Sequence, residues 1–146
     1  MADSVGRIDY GEYAGSLPVL KHVYLVGDLQ RSVPHPFVRD GRAEFAVCQY
    51  EAGDDGEFHW HRQLSEYEIV TEGKIGYIEA ASGRIHWFHA GDVSIIPAGV
   101  CVKRLVRQPA RTVVMKVPSA NDKVHCGSCP RECRSRVHPY EAPPCT

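Results

Sequence analysis

Short runs of apolar and β-branched residues dominate the chain, broken at close intervals by Gly, Pro or Asp. Alternation with a period of two belongs to strands, whereas an amphipathic helix repeats its apolar positions three and four apart. Helix-period patterns are almost absent. The pattern predicts strands over residues 20–26, 43–50, 58–61, 66–71, 74–80, 84–89, 93–96, 102–107 and 112–116. Turn signals separate them: Gly53-Asp54-Asp55-Gly56, Glu72-Gly73, Ser82-Gly83, Gly91-Asp92 and Pro97-Ala98-Gly99. Many short strands with regular turns imply an all-β sandwich or barrel. Residues 1–19 read as an arm or loop, 20–118 as the barrel, and 119–146 as a Cys/His-rich extension. The extension has too few large apolar residues to fold alone without a staple.

Composition narrows the function classes. The 146 residues suit one domain, and 43% hydrophobic residues can supply its core. Lys and Arg number 17 against 18 Asp and Glu, a net charge of −1, so no overall field favours nucleic acid or an anionic membrane. No apolar run is long enough to span a bilayer, and the N-terminus lacks the hydrophobic region of a secretory signal. A cytoplasmic location with reduced thiols is expected, with a small molecule as partner.

The candidate chemistry lies in "GEFHWHRQLSEYEIVTEG", residues 56–73. Residues i and i+2 of a strand share a face, so His59 and His61 project together and Trp60 turns away. Glu66 opens the next antiparallel strand and returns to the same end. Two imidazoles and a carboxylate make a facial ligand set for Fe(II), Mn(II), Ni(II), Co(II) or Zn(II), with positions left open. Alone, an H-x-H pair is also compatible with two surface histidines on a hydrophilic strand.

The wider spacing is G-x5-H-x-H-x4-E-x6-G from Gly53 to Gly73, followed by "GDVSIIPAG" from Gly91 to Gly99. The first run resembles the first signature motif of the cupin superfamily, and the second resembles the second motif, G-x5-P-x-G. The resemblance covers about residues 40–118. It implies a small antiparallel jelly-roll β-barrel of cupin type, with a metal or ligand site in its mouth.

One position departs from the pattern. The second motif would carry a histidine three residues after Gly99, and Val102 stands there. Three readings remain open. His59, His61 and Glu66 bind a metal by themselves, with more open positions than usual. Alternatively, His86 completes the sphere, if it turns inward with Phe88; Cys101 points to the opposite face from Val102. In the third reading the pocket is metal-free and the histidines act as bases or ligand contacts. Alternation also turns Glu68 and Arg104 inward. A buried carboxylate is expensive unless paired or functional. Either the two form a structural ion pair, or Glu68 is a general base and Arg104 anchors a substrate carboxylate through its bidentate fork. Tyr77 is placed to hydrogen-bond the same ligand or simply to pack in the core. Trp60, Trp87 and Tyr67 fall on outer faces, which fits a sheet cover or a homodimer surface.

In the extension, Cys126, Cys129 and Cys133 with His138, or with Cys145, have the makings of a structural zinc site. Disulfides, an iron–sulfur cluster, redox-active thiols and a ligand lent to the barrel mouth are the alternatives. The reading as a whole favours a small metalloenzyme acting on a carboxylate- or carbonyl-bearing substrate, with a mononuclear iron-type dioxygenase ahead of an isomerase or lyase. A non-catalytic ligand-, metal- or redox-sensing module and a metal-free sugar isomerase or epimerase are the alternatives. No helix-turn-helix pattern points to a transcription regulator.

Overall fold

The computed structural model describes residues 4–125. The candidate ligands Cys126, Cys129, Cys133 and His138 lie outside that range. Within it the alternating pattern becomes strands β1 (His22–Val26), β2 (Glu44–Tyr50), β3 (His59–His61), β4 (Ser65–Glu72), β5 (Lys74–Glu79), β6 (Ile85–His89), β7 (Val93–Ile96), β8 (Val102–Leu105), β9 (Ala110–Val117) and β10 (Lys123–His125). They form two five-stranded antiparallel sheets, ordered β1-β2-β9-β4-β7 and β10-β3-β8-β5-β6. The predicted all-β, antiparallel jelly-roll architecture is therefore present.

The sheets face each other across a core that includes Ala46, Tyr50, Val70, Ile75, Val102 and Val114. Each buried valine or isoleucine there contributes about 1.5–3 kcal/mol by leaving water. Two glycines show how backbone conformation shapes the ends. Gly73, at φ 75°, joins β4 to β5, and a Cβ there would sit 2.2 Å from the Pro109 carbonyl oxygen. Gly99, at φ 84°, donates its N–H to the His61 carbonyl at 2.8 Å, tying the second glycine motif to the histidine strand.

Two segments differ from the sequence expectation. Residues 1–19 were expected as an arm or loop, yet Tyr10–Glu12 and Ala14–Ser16 form 3-10 turns and Leu17–Leu20 the short helix α1. Pro18 suits a first helical turn, and Leu17 is fully buried, so α1 is anchored to the sheet. The helix takes Leu20 from the strand expected at 20–26. After β9 the chain returns as β10, which pairs with β3 and places Val124 beside Trp60. Trp60 occupies the outer side of its sheet as expected, but Phe58, Val124, Ala80 and Cys101 cover it.

The outer face of the first sheet is apolar. Register aligns Phe45, Met115, Tyr67 and Ile95 in one row and Val47, Val113, Ile69 and Val93 in the next. Phe45, Ile69, Val93 and Ile95 are all exposed, Ile95 by 64%.

Candidate metal centre

β3 carries His59 and His61 on its inner face, and β4 brings Glu66 in beside them after the turn at 62–64. The two imidazole centroids lie 5.5 Å apart at 84°. One ligand atom from each of His59, His61 and Glu66 falls within 4.8 Å of the other two. Sequence reasoning had placed these three together.

The hydrogen bonds around them decide which atoms face inward. His61 Nδ1 lies 3.0 Å from Asp122 Oδ1, and His59 Nδ1 lies 3.0 Å from the Glu57 carbonyl oxygen. Both partners can only accept, so each Nδ1 holds the proton and each Nε2 keeps its lone pair. His61 Nε2 is buried without a hydrogen-bond partner, 3.5 Å from Glu66 Oε2. An orphaned imidazole nitrogen, a second imidazole and a carboxylate converging on one point fit a divalent metal with N/O preference. Protonation agrees. Burial, then Lys123, lowers His59 to about 4, which keeps it neutral at neutral pH. Burial works against the Glu66 charge, and the nearby Lys116 favours it.

Asp122 was missed by sequence reasoning. Its other oxygen accepts the N–H groups of Gln63 and Leu64 at 2.7 and 3.1 Å, so one carboxylate orients His61 and closes the β3–β4 turn. In the sequence it is a lone acid in a Pro- and Cys-rich stretch, and only β10 carries it to the site.

Val102 faces His59 across β3 and β8, and it packs into the apolar core. His86 does not fill the vacant side. Its Nε2 pairs with Glu79 Oε2 at 3.0 Å, and the ring lines a separate cavity of about 230 Å³ with Phe88 and Ser94. Hydrogen bonding to Glu79, the inner neighbour on β5, turns it away from the three ligands.

The metal centre opens into a cavity of about 390 Å³ lined by His59, Glu66, His22, Tyr77, Arg104 and further basic residues. Glu68 is buried as alternation required, at 1% exposure, behind Tyr77. It accepts hydrogen bonds from the Tyr77 hydroxyl and from Thr112 Oγ1, the latter at 2.6 Å. Burial, then the charge of Glu66, raises its carboxyl to about 7. Of the two readings, the ion pair with Arg104 is not formed. Arg104 instead donates Nε and Nη2 to the Asp54 carbonyl at 3.2 and 3.0 Å and Nη1 to His22 Nε2 at 3.3 Å, with its guanidinium 4.3 Å above the Tyr50 ring. Since Arg104 can only donate, His22 Nε2 must accept, and it also accepts the Tyr50 hydroxyl at 2.8 Å. His22 is a second residue that local pattern did not reveal.

No protein-family model matches the chain, and no curated protein matches it. Solved structures do match in fold. DMSP lyase DddQ from Ruegeria pomeroyi aligns with a TM-score of 0.57 at 17% identity, over 71% of this chain and 50% of that one. A double-stranded beta-helix protein from Klebsiella pneumoniae gives 0.54 at 18%, over 59% and 76%. A mutant of Bacillus subtilis oxalate decarboxylase OxdC gives 0.52 at 22%, over 60% of this chain but 24% of that chain. The opposed antiparallel sheets, the two glycine-bounded motifs at the histidine strand and these neighbours agree in one assignment: the chain has a cupin-type double-stranded β-helix fold.

Proposed function

We propose that this chain is a metal-binding cupin acting as a small metalloenzyme on a carboxylate- or carbonyl-bearing substrate, with mononuclear iron-type dioxygenation the favoured reaction. The observation that supports it is the convergence of one nitrogen from each of the His59 and His61 imidazoles and the Glu66 carboxylate at the wall of a cavity of about 390 Å³. A divalent ion bound there would supply Lewis acidity toward a substrate oxygen and, if it were iron, redox chemistry with O2.

The chain's own groups have defined parts. Asp122 and the Glu57 carbonyl hold the two imidazoles in their ligating tautomer. Arg104, fixed by neutral acceptors, presents positive charge to a substrate carboxylate. Tyr77 lines the cavity and hands hydrogen-bonding contact back to Glu68, so Glu68 exchanges a proton with substrate only through the Tyr77 hydroxyl. A carboxyl near neutral pKa suits that task.

The test is elemental analysis joined to oxygen uptake. One equivalent of divalent metal should be lost in His59→Ala/His61→Ala, and any separate equivalent in Cys126→Ser/Cys129→Ser. Unchanged metal in the first variant would sink the barrel site. Oxygen consumption with small carboxylic acids separates dioxygenation from isomerisation. Binding without turnover would favour a sensing module. Val102, apolar where a fourth ligand would stand, favours the metal-free isomerase or epimerase as the second reading, which predicts turnover in chelator-treated protein.

A further inference from the structure

Four basic side chains, Arg31, Arg104, Lys116 and Lys123, line the cavity at the metal centre, where the lining carboxylate is Glu66. Elsewhere Lys21, Arg39, Arg42 and Arg107 each reach a carboxylate at 3.1 Å or closer. Among the described residues, none of the cavity four has a carboxylate within 4.0 Å. Neutral groups hold three of them instead. Lys116 Nζ donates to the Tyr24 hydroxyl at 2.9 Å, Arg31 lies 5.1 Å over the Tyr24 ring, and Arg104 is held by a carbonyl, an imidazole and the face of Tyr50. Such contacts position a cation without neutralising it.

Strand register puts two of these charges beside the candidate ligands. Lys116 is the cross-strand partner of Glu66, and Lys123 that of His61. Facing residues on neighbouring strands hold their Cβ atoms about 4.5–5.5 Å apart. Lys116 also lies across from Glu44, and the charges of Glu66 and Glu44 favour its protonated form from beyond ion-pair distance. Like charges gathered around one small cavity destabilise the ligand-free fold and raise the local concentration of anions.

We propose that the cavity takes a small dianionic oxyacid. One oxyanion sits at the open side of the His59, His61 and Glu66 centre, and a second, carboxylate or phosphate, sits against Lys116, Lys123 and Arg31. The inference rests on the metal-centre reading for the first contact only. A monoanion satisfies that contact and leaves the lysine side uncompensated, and an uncharged sugar compensates neither.

The test is calorimetric titration of the full chain loaded with Mn(II), an ion that N/O donors hold in preference to thiolates. Acetate, malonate and 2-phosphoglycolate are the probes. At least one dianion should bind about tenfold or more tighter than acetate, and the advantage should shrink with added salt. Lys123→Met and Arg31→Met, both at exposed positions, should each lose about tenfold for that dianion and keep acetate within about twofold. Preference for malonate or for phosphoglycolate identifies the second group as carboxylate or phosphate. Equal affinity for all three probes, or a dianion preference untouched in the Lys123→Met/Arg31→Met double variant, overturns the proposal. Repeating the titrations on chelator-stripped protein, with metal content measured alongside, separates the two readings. Bound metal without dianion preference defeats only this inference, whereas absent metal with dianion preference defeats only the metal centre.

Discussion

A single carboxylate, Asp122, does two jobs at the site: it fixes the His61 tautomer and takes the N–H groups of Gln63 and Leu64. Removing it frees the imidazole and leaves two backbone donors without their acceptor. Asp122→Ala should weaken metal binding by about 10–100-fold, read by chelator competition, and should also lower the thermal midpoint. Asp122→Asn, which keeps an acceptor oxygen, should fall between the two, and unchanged affinity in the Ala variant would refute the positioning role. His22 carries a pH dependence. Burial, then Arg104, lowers it from 6.5 to about 3. Between those values the unfolded chain binds a proton that the folded chain refuses. Stability therefore falls as pH drops through the window, by up to about 1.4 kcal/mol per unit from this residue. His22→Gln keeps a hydrogen-bonding side chain without the titration. Its thermal midpoint should decline less than that of the wild type between about pH 7 and about pH 5, and parallel declines would locate the acid sensitivity elsewhere.

At the level of elements, the nine predicted strands all form, because period-two alternation over four to eight residues is what a half-buried strand leaves in a sequence. What alternation did not mark was short. β10 is the mostly polar Lys123–His125, with one apolar residue, and α1 has four residues, little more than one turn of helix. Their formation depends on partners: Val124 against Trp60, and Leu17 against the sheet. The β4–β5 hairpin rests on Gly73, whose conformation and contact with the Pro109 carbonyl both exclude a side chain. Gly73→Ala should cost about 1–3 kcal/mol in urea denaturation. An effect within about 0.5 kcal/mol would show that the turn relaxes freely.

For the whole molecule, the two sheets dispose of their faces differently. The inner faces meet in the core, and the outer face of β3 is covered by its own chain, but the two apolar rows on the outer face of the first sheet remain open. We expect a homodimer to bury them, since exposed contiguous apolar surface on a sheet is characteristic of an association site. Light scattering should give twice the chain mass for the wild type and the single-chain mass for Ile95→Asp. A monomeric wild type would remove the expectation. No helix among the described residues is long and apolar enough to cross a membrane.

The sequence by itself determined the strands and three convergent ligand candidates, and the resemblance of its two motifs implied the antiparallel jelly roll. The first two follow from neighbours along the chain: alternation sets a strand's faces, and i, i+2 spacing puts His59 with His61. It also showed Val102 where a ligand would stand, and Glu68 as a buried acid. Tertiary structure alone decided who meets whom. It gave Glu68 to Tyr77 and Thr112 rather than to Arg104, turned His86 to Glu79, and carried Asp122 and Lys123 to the histidine strand. Those pairings join residues far apart in sequence, and they rest on strand order and competition among hydrogen-bond partners. Neither leaves a trace in local spacing.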